Sequence, residues 1–180
     1  MKKKFALTFV SLASVALLAA CGEVSTTGNS GSSSANAGTE VGKTLKVGFN
    51  FEETGDVASY GTAEQKGAQL AVDEINKAGG VDGKQIEVTD KDNKSELSEA
   101  ATVSTNLVTQ AKVNAIVGPA TSGGTGAAVT NAAKASVPLV TPSGTQDDLT
   151  KGQEYLFRAT FIDSFQGKII SNYVTNKLNA

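Results

Sequence analysis

The chain has 180 residues, of which 39% are hydrophobic, 19% charged and 6% aromatic, with one cysteine, no tryptophan and no histidine; 16 basic against 18 acidic side chains give a net charge of -2. Without imidazole there is no Ser-His-Asp or Cys-His nucleophilic machinery and no His-ligated zinc, and one thiol builds neither a four-cysteine metal site nor an internal disulfide. The balanced charge offers no basic field for nucleic acid, and the length suits a single domain.

Lys2, Lys3 and Lys4 precede an apolar run from Phe5 to Leu18 interrupted only by Thr8, Ser11 and Ser14, so residues 1–20 read as a signal peptide. The run is too short for a membrane-spanning helix. It ends in Leu18-Ala19-Ala20-Cys21, which resembles the lipobox of bacterial lipoproteins, in which the cysteine is diacylated and becomes the mature N-terminus. Loss of residues 1–20 removes three lysines and leaves 13 basic against 18 acidic side chains, a net charge of -5. Residues 21–43 then read as the lipidated Cys21 and a flexible linker. From Gly22 to Lys43, 15 of 22 residues are Gly, Ser, Thr or Asn, and Val24 and Val41 are the only large aliphatics. Such a chain has a root-mean-square reach of roughly 25 Å, enough to tether a folded domain beside a membrane.

From Thr44 the pattern alternates strand and helix. Leu45, Val47 and Phe49 recur with period two; Ala68, Ala71, Val72 and Ile75 fall on one helical face, which Gly79-Gly80 stops. Gln85 to Thr89 reads as a second strand, and Glu96 to Gln110 as a helix with Leu97, Ala100, Ala101, Val103, Leu107 and Val108 on one face. Ala115 to Gly118 is continuously apolar, as expected for the buried middle of a parallel sheet. A small-residue helix from Gly126 to Ser136, strands at Pro138 to Thr141 and Tyr155 to Thr160, and a closing helix from Phe165 to Leu178 complete the order. Repeated β-α-β-α order predicts an α/β fold: an open parallel sheet with helices on both faces. Ligands of such sheets bind at the carboxyl ends of the strands, here the loops Asn50 to Gly61, Gly118 to Thr125 and Pro142 to Asp148.

Three motifs in or near these loops fail on chemistry. Gly118 and Gly123 have phosphate-loop spacing, but Gly124-Thr125 stands where Lys-Ser/Thr is required. Ala120 to Gly124 has the outline of a nucleophile elbow, with no histidine to activate Ser122. Asp90-Lys91-Asp92-Asn93 starts like a calcium loop, but Ser95 replaces the glycine and Ala101 the bidentate glutamate, leaving a solvated turn that caps the next helix. Two hydroxyl- and glycine-rich loops survive, Thr121 to Thr125 and Thr141 to Thr145, each read as leaving a strand just before a helical segment. Unpaired N–H groups at helix starts suit a small anion such as a carboxylate. Helix capping explains the same residues equally well, and Tyr60, in the glycine-flanked first loop, equally suits a packing role at a strand-to-helix corner.

Gly55-Asp-Val-Ala-Ser-Tyr60-Gly61 and the run Gly67 to Gly83, followed by Ile116 to Ser122, Val137 to Thr145 and Phe157 to Gly167, resemble the N-terminal lobe of bacterial branched-chain amino-acid-binding proteins, the extracytoplasmic receptors of ABC importers. The likeness covers nearly all of residues 44–180. It implies a ligand-binding lobe of the type I periplasmic-binding-protein fold that takes Leu, Ile or Val, delivers it to ABC permease subunits, acts as a monomer, touches the membrane through its lipid anchor only and has no nucleic-acid partner. It implies Ser122 as hydroxyl donor to the ligand carboxylate, Thr145 as a second donor through its hydroxyl and N–H, Ser143 as the source of a backbone carbonyl for the ammonium group, Gly144 between them, and Tyr60 as an aromatic wall. No catalytic residue, cofactor or metal is implied. Family members also carry a second lobe, with an acidic partner for the ammonium, and return to complete the first; since the sequence stops at Asn179-Ala180, the expectation is a truncated lobe that binds weakly and does not close. Rival readings are a sensor for another small amino acid or amide, an esterase using Ser122, and a non-functional fragment.

Overall fold

The computed structural model describes residues 41–178, so the signal segment 1–20, Cys21 and the linker as far as residue 40 lie outside the described residues. Period-two alternation in β1 (Leu45–Phe51) sends Val47, Phe49 and Phe51 to one face, where they pack with Ala68 and Val72 of α1 (Ala58–Lys77). Each fully buried phenylalanine contributes roughly 1.5–3 kcal/mol of hydrophobic stabilisation. Asn50 points to the opposite face and donates to the Ala100 carbonyl of α2 (Leu97–Asn106) at 3.0 Å.

Five parallel strands follow the order β2-β1-β3-β4-β5, with β2 at Ile86–Asp92, β3 at Ala115–Val117, β4 at Leu139–Thr141 and β5 at Leu156–Arg158. The continuously apolar β3 takes the central place, pairing Val47 with Ala115 and Ile116 with Leu139. Helix α2 runs on into a π-helical turn, Leu107–Ala111. It packs beside α3 (Ser122–Lys134) on the face away from α1, where Val103, Leu107, Ile116, Ala128, Val129, Ala132, Leu139 and Leu156 are buried together. Small residues let the two helices touch, and the Ser104 hydroxyl donates to the Ala128 carbonyl at 2.8 Å. The sheet therefore carries helices on both faces, as predicted.

Several expectations need correction. Of the α1 face, Val72 is buried and Ala68 partly so, while Ala71 and Ile75 are exposed. The helix lies chiefly over β1 and the edge strand β2, so its covered seam is narrow and includes Asn76, whose side chain grips both the N–H (2.7 Å) and the carbonyl (2.9 Å) of Ile86. Helix α3 begins four residues earlier than predicted, because the Thr121 hydroxyl accepts from the Gly124 N–H at 3.1 Å and caps it there. The segment Asp90 to Asn93 is not a solvated turn capping α2. Its first three residues end β2, Asn93 is buried and donates to Asn50 Oδ1 at 3.0 Å, and Glu96 stands at the N-cap of α2 without a side-chain cap bond.

The closing helix exists as α4 (Asp163–Lys177), but it does not close over the sheet: none of its residues is buried, and Phe165, Ile169, Ile170 and Tyr173 are exposed. Its first turn is held by Asp163 N–H donating to the Thr145 carbonyl and Ser164 N–H to Asp147 Oδ1, both at 3.0 Å. Among the described residues no helix is long and apolar enough to cross a membrane.

Candidate functional site

The carboxyl ends of β1, β3 and β4 meet at one side of the sheet, and two glycines let the chain pass close there. A Cβ on Gly61 would lie 2.2 Å from the Glu52 carbonyl oxygen, so glycine lets the first turn of α1 rest directly on the end of β1. Tyr60, predicted in a loop, is instead in that turn and projects outward, 63% exposed. Gly118 has φ +92°, a conformation side chains disfavour, and a Cβ there would lie 2.3 Å from the Asn50 carbonyl oxygen.

Glu52, the residue after β1, is almost fully buried. Its Oε2 accepts from the Ala120 N–H at 2.9 Å, and its Oε1 from the Thr121 N–H at 3.2 Å and hydroxyl at 2.8 Å. A buried carboxylate thus sits at the start of α3, where the helix dipole favours negative charge. Ser122 and Gly123 come next. Their N–H groups stand first in the helix, with no carbonyl one turn behind them to accept.

The loop after β4 is fastened to this one. Thr141 donates through its hydroxyl to the Pro119 carbonyl at 2.8 Å and accepts from the Gly144 N–H at 3.1 Å. The Ser143 hydroxyl is in hydrogen-bond contact with both the Ala120 carbonyl, at 3.0 Å, and Glu64 Oε1. The Gln146 N–H donates to Ser122 Oγ at 3.2 Å, and Arg158 donates to the carbonyls of Gln146 (2.6 Å) and Gly144 (3.3 Å). Contrary to expectation this second loop leads into turns, so of the two loops only the one before α3 ends at a helix start.

Three carboxyls here depart from the ordinary range. Burial pushes Glu64 up, the Ser143 hydrogen bond opposes this, and the charge of Glu52 adds to the rise. At the rim Glu53 is pushed up to about 7, by burial and then by the charge and hydrogen bonding of Asp90 and the charge of Asp92. Burial alone would raise Asp92 as well, but bonds from the Thr54 hydroxyl (2.6 Å) and the N–H groups of Lys94, Thr54 and Glu53 hold it below the usual carboxylate range.

Between the loops lies an open cleft of about 510 Å³, lined by Val57, Tyr60, Ala120, Thr121, Ser122, Ser143, Thr145, Thr160, Phe161 and Gln166. Four of the five predicted ligand residues, Tyr60, Ser122, Ser143 and Thr145, therefore face one space. Gly144 does not. It is buried beneath the loop, where a Cβ would lie 2.8 Å from Leu149 and Thr141 side-chain atoms. Sequence reading passed over Glu52, Glu64 and Phe161; the one available signal was a Glu52-Glu53 pair directly after an apolar strand, at the end where ligands of parallel sheets bind. Among the described residues no group of three or more His, Cys, Asp or Glu could hold a metal ion.

A family model described as periplasmic binding protein matches residues 44–179. A leucine-, isoleucine-, valine-, threonine- and alanine-binding protein of Pseudomonas aeruginosa is 32% identical over 135 residues, 74% of this chain and 36% of the relative. Among solved structures, the branched-chain amino acid transporter substrate-binding protein LivJ of Streptococcus pneumoniae, in complex with isoleucine, is 77% identical with a TM-score of 0.74, over 76% of this chain and 39% of that one. A solute-binding protein of an ABC transporter from Rhodopseudomonas palustris, in complex with 3,4-dihydroxybenzoic acid, is 29% identical with a TM-score of 0.67, over 75% and 37% of the two chains. The chain thus spans 36–39% of the lengths of these relatives.

Proposed function

The chain belongs to the periplasmic binding protein family, and from that membership we propose that it captures a branched-chain amino acid outside the cytoplasm for delivery to an ABC permease. The observation that carries this reading is the convergence of Tyr60, Ser122, Ser143 and Thr145 on one cleft at the carboxyl end of the sheet. In this reading the ligand carboxylate accepts from the Ser122 hydroxyl, the free N–H groups at the start of α3 and Thr145. Charge-assisted bonds of this kind are stronger than neutral ones. The Ser143 carbonyl takes the ammonium, and the aliphatic side chain lies against Tyr60 and Phe161. Glu52 already occupies the donors of Ala120 and Thr121, so the anion is directed one residue further on, to Ser122 and Gly123. The chemistry is recognition without a change of bonds.

The same proposal takes residues 1–20 as an export signal, Cys21 as a lipid anchor on the outer face of the cell membrane, 21–43 as a tether and 44–180 as a ligand-binding lobe acting as a monomer. Calorimetric titration of the chain with isoleucine, leucine, valine, glutamine and 3,4-dihydroxybenzoate tests the ligand class. The proposal expects binding of the three aliphatic amino acids in preference to glutamine, because the rings of Tyr60 and Phe161 offer apolar surface to the ligand side chain. Binding of the aromatic acid or of glutamine in preference to isoleucine contradicts it.

A further inference from the structure

The Ser143 hydroxyl has one proton and two oxygen neighbours, the Ala120 carbonyl and Glu64 Oε1. The carbonyl can only accept. Were Glu64 ionised, both neighbours would be acceptors and one contact would set lone pair against lone pair in a sheltered place. A proton on Glu64 removes the conflict and gives a directed chain, Glu64 to Ser143 to Ala120. The other carboxyl oxygen, Oε2, is buried and has no hydrogen-bond partner among the described residues. An unpartnered buried oxygen is far less costly neutral than anionic.

We infer that Glu64 is held as a neutral carboxylic acid behind the cleft and, as donor to Ser143, is a positioning residue that locks the loop after β4 to the loop before α3. Its charged surroundings agree. Glu52, at the end of β1, faces it with a charge already saturated by Ala120 and Thr121, and Arg158 of β5 gives its guanidinium to the carbonyls of Gly144 and Gln146. On α1 itself the nearest titratable group one turn away is Tyr60, and Lys66 is exposed. Ionisation of Glu64 would turn the Ser143 hydroxyl to the carboxylate and release the Ala120 carbonyl. The two loops that carry Ser122, Ser143 and Thr145 would then lose one of their ties, so ligand affinity falls as pH rises. This last step rests on the function proposed above.

The ligand-free chain, with its glutamate carboxyl carbons labelled, is titrated by NMR, and the Glu64 resonance is expected to have its midpoint above the ordinary value of 4.5. A midpoint at or below that value overturns the inference. Isoleucine titrations on both sides of the midpoint should show about fivefold weaker binding on the alkaline side, the equivalent of one hydrogen bond. E64A, which leaves the Ser143 hydroxyl to the Ala120 carbonyl, and E64Q, whose amide donates at every pH, should both abolish the pH step, with E64Q keeping the native acid-side affinity. A native affinity indifferent to the Glu64 midpoint overturns the positioning role. Absence of isoleucine binding at every pH overturns the ligand link together with the proposed function, while the carboxyl titration still decides where the proton lies.

Discussion

Glu52 and Thr121 are joined twice, one carboxylate oxygen accepting from both the backbone N–H and the hydroxyl of the same residue, across 69 positions of sequence. The second oxygen takes the neighbouring Ala120 N–H, so the end of one strand dictates where the next helix begins. In Glu52→Gln the buried amide NH2 replaces one acceptor and confronts a backbone donor. The expected loss is about 1–3 kcal/mol of stability, the range for leaving a buried polar group unsatisfied. Urea unfolding of the two proteins measures it, and equal midpoints would show that the carboxylate does not fasten the loop.

Ser122→Ala and Thr145→Val each remove a hydroxyl from the cleft without introducing bulk. Hydrogen bonds to a charged ligand group contribute about 1.5–3 kcal/mol, so each variant should bind isoleucine about tenfold or more weakly, while thermal unfolding moves little. Calorimetry decides this, and unchanged affinity in both variants removes these residues from the site.

Gly61→Ala should be among the more damaging single-methyl additions. The new Cβ meets backbone, 2.2 Å from the Glu52 carbonyl oxygen, and cannot be relieved by a rotamer change. A cost of about 2 kcal/mol or more is expected from overpacking. Since α1 must lift away from β1, Tyr60 shifts too, and isoleucine binding should weaken along with stability. Melting temperature and affinity measured together test both parts.

The pH dependence of stability has a defined sign. Glu53 is raised from 4.5 to about 7, so between those values the folded chain holds more protons than the unfolded one. Its contribution is fully present below pH 4.5 and is lost as pH rises through 7. Glu64, also raised, acts in the same direction; Asp92, lowered, opposes only below its ordinary value of 3.8. Urea midpoints should therefore fall from pH 5 to pH 8, and fall less in Glu53→Gln. Because Glu53 is partly exposed, solvent screens the effect. A midpoint that rises over this interval contradicts the account.

The order of strands and helices was legible because each element carries its own period, as in Leu45, Val47 and Phe49. Ser122, Ser143 and Thr145 were legible as hydroxyls at strand ends. Helix starts were less so. Gly61 reads as a loop residue yet lies within α1, where close approach to Glu52 outweighs its poor helix propensity, and Gly123 and Gly124 hide the first turn of a helix that the Thr121 cap begins. Glu52 was marked only by its place directly after an apolar strand, and Glu64 not at all. An acid in a polar stretch reads as solvated, and what holds these two side chains are partners 68 to 79 positions away. The exposure of α4 was equally hidden, since Phe165, Ile169 and Ile170 have a composition that suits burial.

The central claim is that Tyr60, Ser122, Ser143 and Thr145 form one ligand site for a branched-chain amino acid. Residue-resolved NMR of the full chain titrated with isoleucine tests it most directly. The account predicts saturable shifts concentrated at the backbone amides of Tyr60, Ser122, Gly123, Ser143 and Thr145. Shifts confined to the exposed apolar side of α4, around Phe165 and Ile169, or no saturable shifts at all, would contradict it.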